Sequence, residues 1–350
     1  MTTAMRRAPA AERLLADGKG KLMSHWPFTH GLHDLGNGCF AYLQPDATWG
    51  WSNAGLIESQ GETLLVDTLM GLDITRAMLE EMRRKVPAAA RIGKLVNTHA
   101  NPDHVLGNEL VTGAEIISGK AAAEDISQMN PAAFERMARD WQQMGEGGEF
   151  FHETMGRQFD FSGVTIVAPT RTFDGELTLH VGDKEVRLVD LGPAHTRSDT
   201  IVHVPCDQTV FTGDLLFSEA SPIMWAGPVR NWIGACEYLL GLDVETIVPG
   251  HGPITDKSGV RAQKRYFEYL LKEARRRYEA GLGWEEASAD IALREFAHWP
   301  DTERIVANVY ALYREFGAQI PAASAPELFG AMGRWRKRRA RPAAATTGDP

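Results

Sequence analysis

From residue 38 onward, short apolar runs alternate with Pro, Asp and Gly breaks. Cys39 to Leu43, Ala54 to Glu58 and Thr63 to Asp67 each read as a strand. Ile74, Ala77, Met78 and Met82 then recur at three- to four-residue spacing, which predicts a helix with Asp73 as its cap. Leu95-Val96 is the next strand, followed by a short helix near Val105 to Leu110 and a strand at Glu115 to Ile117. Residues 119–158 break this rhythm, with Met129, Phe134, Met137, Trp141, Met144, Phe150, Phe151 and Met155 on helical pieces. They read as core or as an inserted helical lobe over a pocket, and the Gly145 to Gly148 run predicts a point of flexing. Strand patterns resume at Val164 to Ala168, Leu177 to Val181, Glu185 to Asp190, Thr200 to Val204 and Thr209 to Phe211. A helix near Arg230 to Leu240, a strand at Thr246 to Val248 and helical patterns over 257–280, 284–297 and 301–317 follow.

Two strand-rich halves, each with helices, predict an α/β fold with two sheets face to face and helices outside. The expected organisation is a flexible segment at 1–25, one folded body at 26–320, and an Ala/Pro-rich, then basic, tail at 321–350. That tail holds no candidate ligand, so it is expected to be dispensable for activity.

Charge and cysteine content narrow the function classes. The 350 residues carry a formal charge of −9, and six of the 37 basic residues crowd the stretch from Arg334 to Arg341. The body is therefore not expected to seek nucleic acid. Cys39, Cys206 and Cys236 are widely spaced and give neither a disulfide framework nor a paired-cysteine zinc site. No apolar run reaches the roughly 18 residues of a membrane span, and no secretory signal is evident. The expectation is a cytoplasmic protein acting on a small molecule, with a homo-oligomer left open.

The candidate chemistry lies at strand ends. Asn97-Thr98-His99-Ala100-Asn101-Pro102-Asp103-His104 follows Leu95-Val96, and Pro102 restrains the backbone there. His195 in Gly192-Pro193-Ala194-His195-Thr196, Asp214 in Gly213-Asp214 and His251 in Gly250-His251-Gly252 each follow another strand. Four strand ends delivering His or Asp beside Gly or Pro point to a metal centre.

In these motifs and their order the chain resembles the metallo-β-lactamase superfamily, whose loop reads His-x-His-x-Asp-His. The resemblance implies an αββα sandwich with a helical insertion and C-terminal helices. It implies one metal site from His99, position 101 and His195, and a second from Asp103, His104 and His251, with Asp214 bridging. Asn101 stands where the family has its second His. An amide carbonyl is a weaker donor than imidazole, so the first site is expected to be weakened, altered or open. Zinc, one or two ions, is the implied cofactor, with iron or manganese as alternatives. Trp51 to Gly55, Gly192 to Thr196 and Glu303 to Asn308 further resemble the thioesterase/cyclase branch acting on aromatic polyketides.

The family's chemistry implies a metal-dependent hydrolase in which metal-bound hydroxide attacks a thioester, ester or lactone carbonyl. Asp103 is the candidate to orient water and accept its proton. Asp67 is a candidate partner for a ligating His. Trp49, Trp51, Asn53, Met224 and Trp225 are candidates to line an apolar pocket for a bulky or aromatic substrate. A polyketide cyclase, iron-dependent oxygen chemistry and a non-catalytic metal-binding protein are the alternative readings.

Overall fold

The structure, a computed structural model, describes residues 26–340. The segment 1–25 therefore lies outside the described residues. In chain order the elements begin with β1 (Gly31–Gly36), β2 (Cys39–Leu43), β3 (Ala54–Ser59), β4 (Glu62–Val66), α1 (Leu72–Lys85) and β5 (Lys94–Val96). Next come α2 (Pro102–Val105), β6 (Glu115–Gly119), α3 (Lys120–Gln128), α4 (Pro131–Arg139), α5 (Gly145–Phe151) and β7 (Arg171–Phe173). The second half holds β8 (Glu176–Val181), β9 (Lys184–Asp190), β10 (Thr200–Val204), β11 (Thr209–Phe211), α6 (Val229–Gly241) and β12 (Thr246–Val248). Four helices close the chain: α7 (Lys257–Glu279), α8 (Trp284–Asp290), α9 (Ile305–Glu315) and α10 (Ala325–Ala340).

β1 to β7 form one sheet in sequence order, and a second runs β12-β11-β10-β9-β8. Strand periodicity sorts the side chains between layers. Leu64 and Val66 join Val202, Val204 and Phe211 in the core between the sheets. Leu65, between them, faces Met78, Leu79 and Met82 of α1 on the outer side. In the second sheet Ile201 and Val210 turn instead toward Trp232 of α6 and Phe267 of α7. Both faces of each sheet are thus covered, giving an αββα order, and strands buried on both faces read as continuous apolar runs.

Several expectations are corrected. The strand expected at Val164 to Ala168 is irregular chain, and pairing with β6 comes at Arg171–Phe173, beyond Pro169. β1 escapes the pattern because Gly31, His33, Asp34 and Gly36 dilute its apolar signal at a sheet edge. Asp73 does not cap α1: Gly71 holds the cap position, and Asp73 pairs with Arg76 at 2.9 Å. The helical pattern at 284–297 ends at Asp290, and that at 301–317 becomes α9 after a 3₁₀ turn.

The tail expected at 321–350 is the largest correction. Within it, α10 buries Leu328, Phe329, Met332 and Trp335 in the main core. Three of its basic residues are paired with acids: Arg334 with Glu146 and Glu285, Arg336 with Glu303, and Lys337 with Glu149. The Gly145 to Gly148 run, expected to break the helical pieces, is instead the start of α5, which packs on α10. A Cβ on Gly147 would collide with the Pro326 carbonyl, and one on Gly148 with the Trp141 carbonyl. Those glycines therefore permit close helix approach.

Candidate metal centre

The two sheets deliver their strand ends to one point. The chain leaves β4 at Asp67 with φ 61°, leaves β5 through residues 97–101 into α2, and leaves β11 and β12 at Gly213-Asp214 and Gly250-His251. His195 comes from the turn between β9 and β10. Close approach explains the glycines: a Cβ on Gly213 would land on Thr98, and one on Gly250 on Asp214 Oδ1.

Asp214 sits at the middle. Its Oδ1 is 3.1 Å from His104 Nε2, and its Oδ2 is 3.3 Å from His195 Nε2, 3.4 Å from His251 Nε2 and 3.7 Å from His99 Nε2. Asp103 Oδ2 lies 3.2 Å from His251 Nε2 and 3.9 Å from His104 Nε2. All six side chains are buried. His99, His104 and Asp214 form one group with ligand geometry, and Asp103, His104 and His251 form another.

Every imidazole is held by its outer nitrogen. His99 Nδ1 is 2.9 Å from Thr98 Oγ1, whose own hydroxyl donates to Asp67 Oδ2 at 2.7 Å. His104 Nδ1 is 2.9 Å from Asp67 Oδ2, His195 Nδ1 is 2.6 Å from the Ile223 carbonyl, and His251 Nδ1 is 3.1 Å from the Trp51 carbonyl. Oxygen acceptors at all four Nδ1 atoms fix the proton there and leave each Nε2 lone pair aimed inward. His99 Nε2, His104 Nε2 and Asp214 Oδ1 are buried with no hydrogen-bond partner. Orphaned donor atoms on this His/carboxylate set fit a divalent cation.

The electrostatics agree. Burial opposes charge at Asp214, yet His251, His104 and His99 hold its carboxyl well below the usual range. Burial likewise opposes ionisation of Asp103, but His104 and His251 hold it down to about 2. Against the same burial, Asp214, Asp103 and Asp67 raise His104 well above its ordinary value, and Asp214 and Asp103 raise His251. His99 is driven well below its ordinary value by burial, reinforced by His104, and His195 is lowered by burial. Two carboxylates therefore draw positive charge to the side of the centre formed by Asp103, His104 and His251.

The supporting residues are a mixture of the expected and the overlooked. Asp67 accepts from the Thr98 backbone N–H at 2.7 Å as well as from His104, so it is a partner of the ligands. Asn53 is not at a pocket mouth: it is buried, and its amide donates to the Pro249 and Gly252 carbonyls that flank His251. Trp49 is also core, donating to Glu303 Oε1 at 3.0 Å beneath the Arg304 guanidinium. Trp51 and Trp225 are half-buried, Trp51 against Phe159 and Trp225 with its N–H on the His195 carbonyl. Met224 and Trp225 line a cavity of about 870 Å³ with Tyr310, Arg314 and Leu328, and none of the six clustered His and Asp side chains lines it. Sequence reasoning missed Thr98, Ser52, whose hydroxyl donates to the Asp103 carbonyl, and Asp199, which accepts from Ala194 N and Thr196 N on either side of His195. Thr98 and Asp199 were hinted at only by their nearness to His99 and His195 in sequence, and Ser52 only by standing between Trp51 and Asn53.

Comparison with known proteins agrees with this geometry. A family model described as "Metallo-beta-lactamase superfamily" matches residues 47–251. The chain is 22% identical over 258 residues to the Beta-lactamase-like protein 2 homolog of Caenorhabditis elegans, covering 73% of this chain and 74% of that protein. It is 31% identical over 88 residues to the 2,4-dinitroanisole O-demethylase subunit alpha of Nocardioides sp. (strain JS1661), 23% of this chain and 26% of that one. Among solved structures, a metallo-beta-lactamase from Pontibacter korlensis superposes with TM-score 0.52 at 16% identity, over 69% of this chain and 99% of its own. The stereoselective inverting sec-alkylsulfatase Pisa1 from Pseudomonas sp. superposes with TM-score 0.62 at 16% identity, over 83% of this chain and 51% of its own. At these identities the structural likeness establishes the fold alone.

Proposed function

Because this chain belongs to the metallo-beta-lactamase superfamily, we propose that it is a metal-dependent hydrolase of a thioester, ester or lactone carried by a bulky apolar or aromatic small molecule. The observation that carries this reading is the set of four imidazoles, each tied by Nδ1 and presenting Nε2 to two carboxylates. A divalent cation held by this cluster would supply an acidic water and polarise a carbonyl.

The chain's own residues supply orientation. Asp103 is ionised at neutral pH, and its Oδ2, beside His251, is placed to orient a water and hold its proton. Asp67, Thr98 and the carbonyls of Ile223 and Trp51 keep the rings from turning, so little reorganisation precedes reaction. Burial of all six side chains limits bulk water. Trp51 and Trp225, both half-buried, meet His251 and His195 through their backbones, and their rings are the candidate faces for an apolar substrate. The stretches shared with the thioesterase/cyclase branch support the same substrate size.

The test is metal depletion with a chelator, reconstitution with Zn²⁺, Fe²⁺ or Mn²⁺, and assay on aryl thioesters, esters and lactones, with an alkyl sulfate as contrast. Cleavage of a carbonyl substrate only by reconstituted protein, lowered about a hundredfold or more in Asp103→Asn, is expected. Metal-independent turnover, or cleavage of the sulfate alone, would overturn the reading.

A further inference from the structure

Asn101 stands at the start of α2 with an extended backbone, φ −93° and ψ 147°, but its side chain caps nothing there. Its amide instead reaches across to the β9–β10 turn, where Nδ2 lies 2.9 Å from His195 Nε2. The direction of that bond follows from the ring's other contact. Nδ1 of His195 is 2.6 Å from the Ile223 carbonyl and so carries the proton, which leaves Nε2 as an acceptor. Only the N–H₂ end of the amide can meet it, because the carbonyl end would set two lone pairs against each other. The electron pair that His195 would give a metal is therefore already engaged.

The pair formed by His104 and His251 differs. His104 Nε2, like His99 Nε2, has no hydrogen-bond partner. His99 Nε2, however, is 3.7 Å from Asp214 Oδ2, whereas His104 and His251 each meet both carboxylates. His104 Nε2 lies 3.1 Å from Asp214 Oδ1 and 3.9 Å from Asp103 Oδ2, while His251 Nε2 lies 3.4 Å and 3.2 Å from carboxylate oxygens of the same two residues. Both ligand groups in the centre contain His104, and neither contains His195. We propose that this protein holds a single tightly bound divalent cation on Asp103, His104, Asp214 and His251, with the Asn101 amide keeping His195 as a hydrogen-bond acceptor rather than a ligand. Asn101 is thus a positioning residue that sets the metal count.

This inference rests on the reading of the centre as a metal site, but not on the reaction. Its test uses no substrate, so failure of hydrolysis and failure of this proposal are separate results. Metal-depleted full-length protein is titrated with Zn²⁺ by calorimetry, and retained metal is counted by mass spectrometry after dialysis against a mild chelator. One retained equivalent is expected for wild type, none for His104→Ala, and two for Asn101→His, where an imidazole replaces the amide. His195→Ala is expected to keep its one equivalent with affinity within about threefold of wild type, and it serves if Asn101→His folds poorly. Two retained equivalents in wild type, or loss of the single equivalent in His195→Ala, would overturn the proposal.

Discussion

Asp67 is placed behind the candidate ligands, holding the His104 imidazole directly and the His99 imidazole through Thr98, which makes Asp67→Asn a sharp test of the centre. The residue sits at φ 61°, a left-handed conformation that Asn tolerates, so the backbone need not move. In the native protein Oδ1 accepts from Thr98 N, while Oδ2 accepts from both Thr98 Oγ1 and His104 Nδ1. An amide can replace only one of those oxygens. With its NH₂ at the Oδ2 position it faces the protonated Nδ1 of His104 and the Thr98 hydroxyl. Relief requires the His104 proton to move to Nε2, the atom that should bind metal. The Thr98 hydroxyl, without its acceptor, can turn to donate to His99 Nδ1 and shift that ring's tautomer in the same way. With the amide reversed, a buried donor faces the Thr98 N–H instead. Losing the partner of a ligating His costs about 10–100-fold in metal affinity, or roughly 1.4–2.7 kcal/mol. A buried donor without an acceptor adds about 1–3 kcal/mol to the loss of folding stability. Zn²⁺ affinity by chelator competition and stability by urea unfolding read the two effects separately, with the exposed Asp73→Asn as a control. Equal Zn²⁺ affinity in Asp67→Asn and wild type would refute the argument that Asp67 sets the His104 tautomer.

Gly250→Ala should displace Asp214, because the new methyl lands on its carboxylate and against the Gly213 backbone. A metal affinity reduced at least tenfold and a stability loss of about 1–3 kcal/mol are expected, and unchanged chelator competition would count against the packing. Deleting residues from 325 onward should abolish cooperative unfolding. Leu328, Phe329, Met332 and Trp335 leave the core together, at about 1.5–3 kcal/mol each against a usual total of about 5–15 kcal/mol; a melting temperature unchanged by the truncation would contradict this. Burial raises the Asp199 carboxyl to about 7, despite hydrogen bonds from Thr196 and Ala194. The folded protein then binds a proton more tightly than the unfolded chain, so wild-type stability should fall relative to Asp199→Asn as pH rises from about 4 to about 7, and run parallel above it. Urea unfolding of both proteins across that range checks the prediction, and a constant difference would refute it.

The clustered His and Asp side chains were legible before any fold was known because strand ends are written locally. Apolar runs such as Glu185 to Asp190, Thr209 to Phe211 and Thr246 to Val248 are followed by Gly or Pro, and His195, Asp214 and His251 stand beside those breaks. Both faces of the strands are buried, so their signal was strong, whereas the edge strand β1 carried little. Side-chain roles set by partners distant in sequence were not legible. Trp49 meets Glu303 across 254 residues and Asn53 meets Gly252 across 199, and composition alone left both as candidates for a pocket wall. The basic run from Arg334 read as solvated tail because its partners Glu146, Glu149, Glu285 and Glu303 lie elsewhere in the chain. The sequence by itself determined the layered α/β order and the residues available to a metal, since periodicity and backbone punctuation act between neighbours. Tertiary structure alone decided the orientation of each imidazole, the engagement of His195 by Asn101 and the burial of α10, because hydrogen bonds and packing across the fold depend on distances that the sequence does not contain.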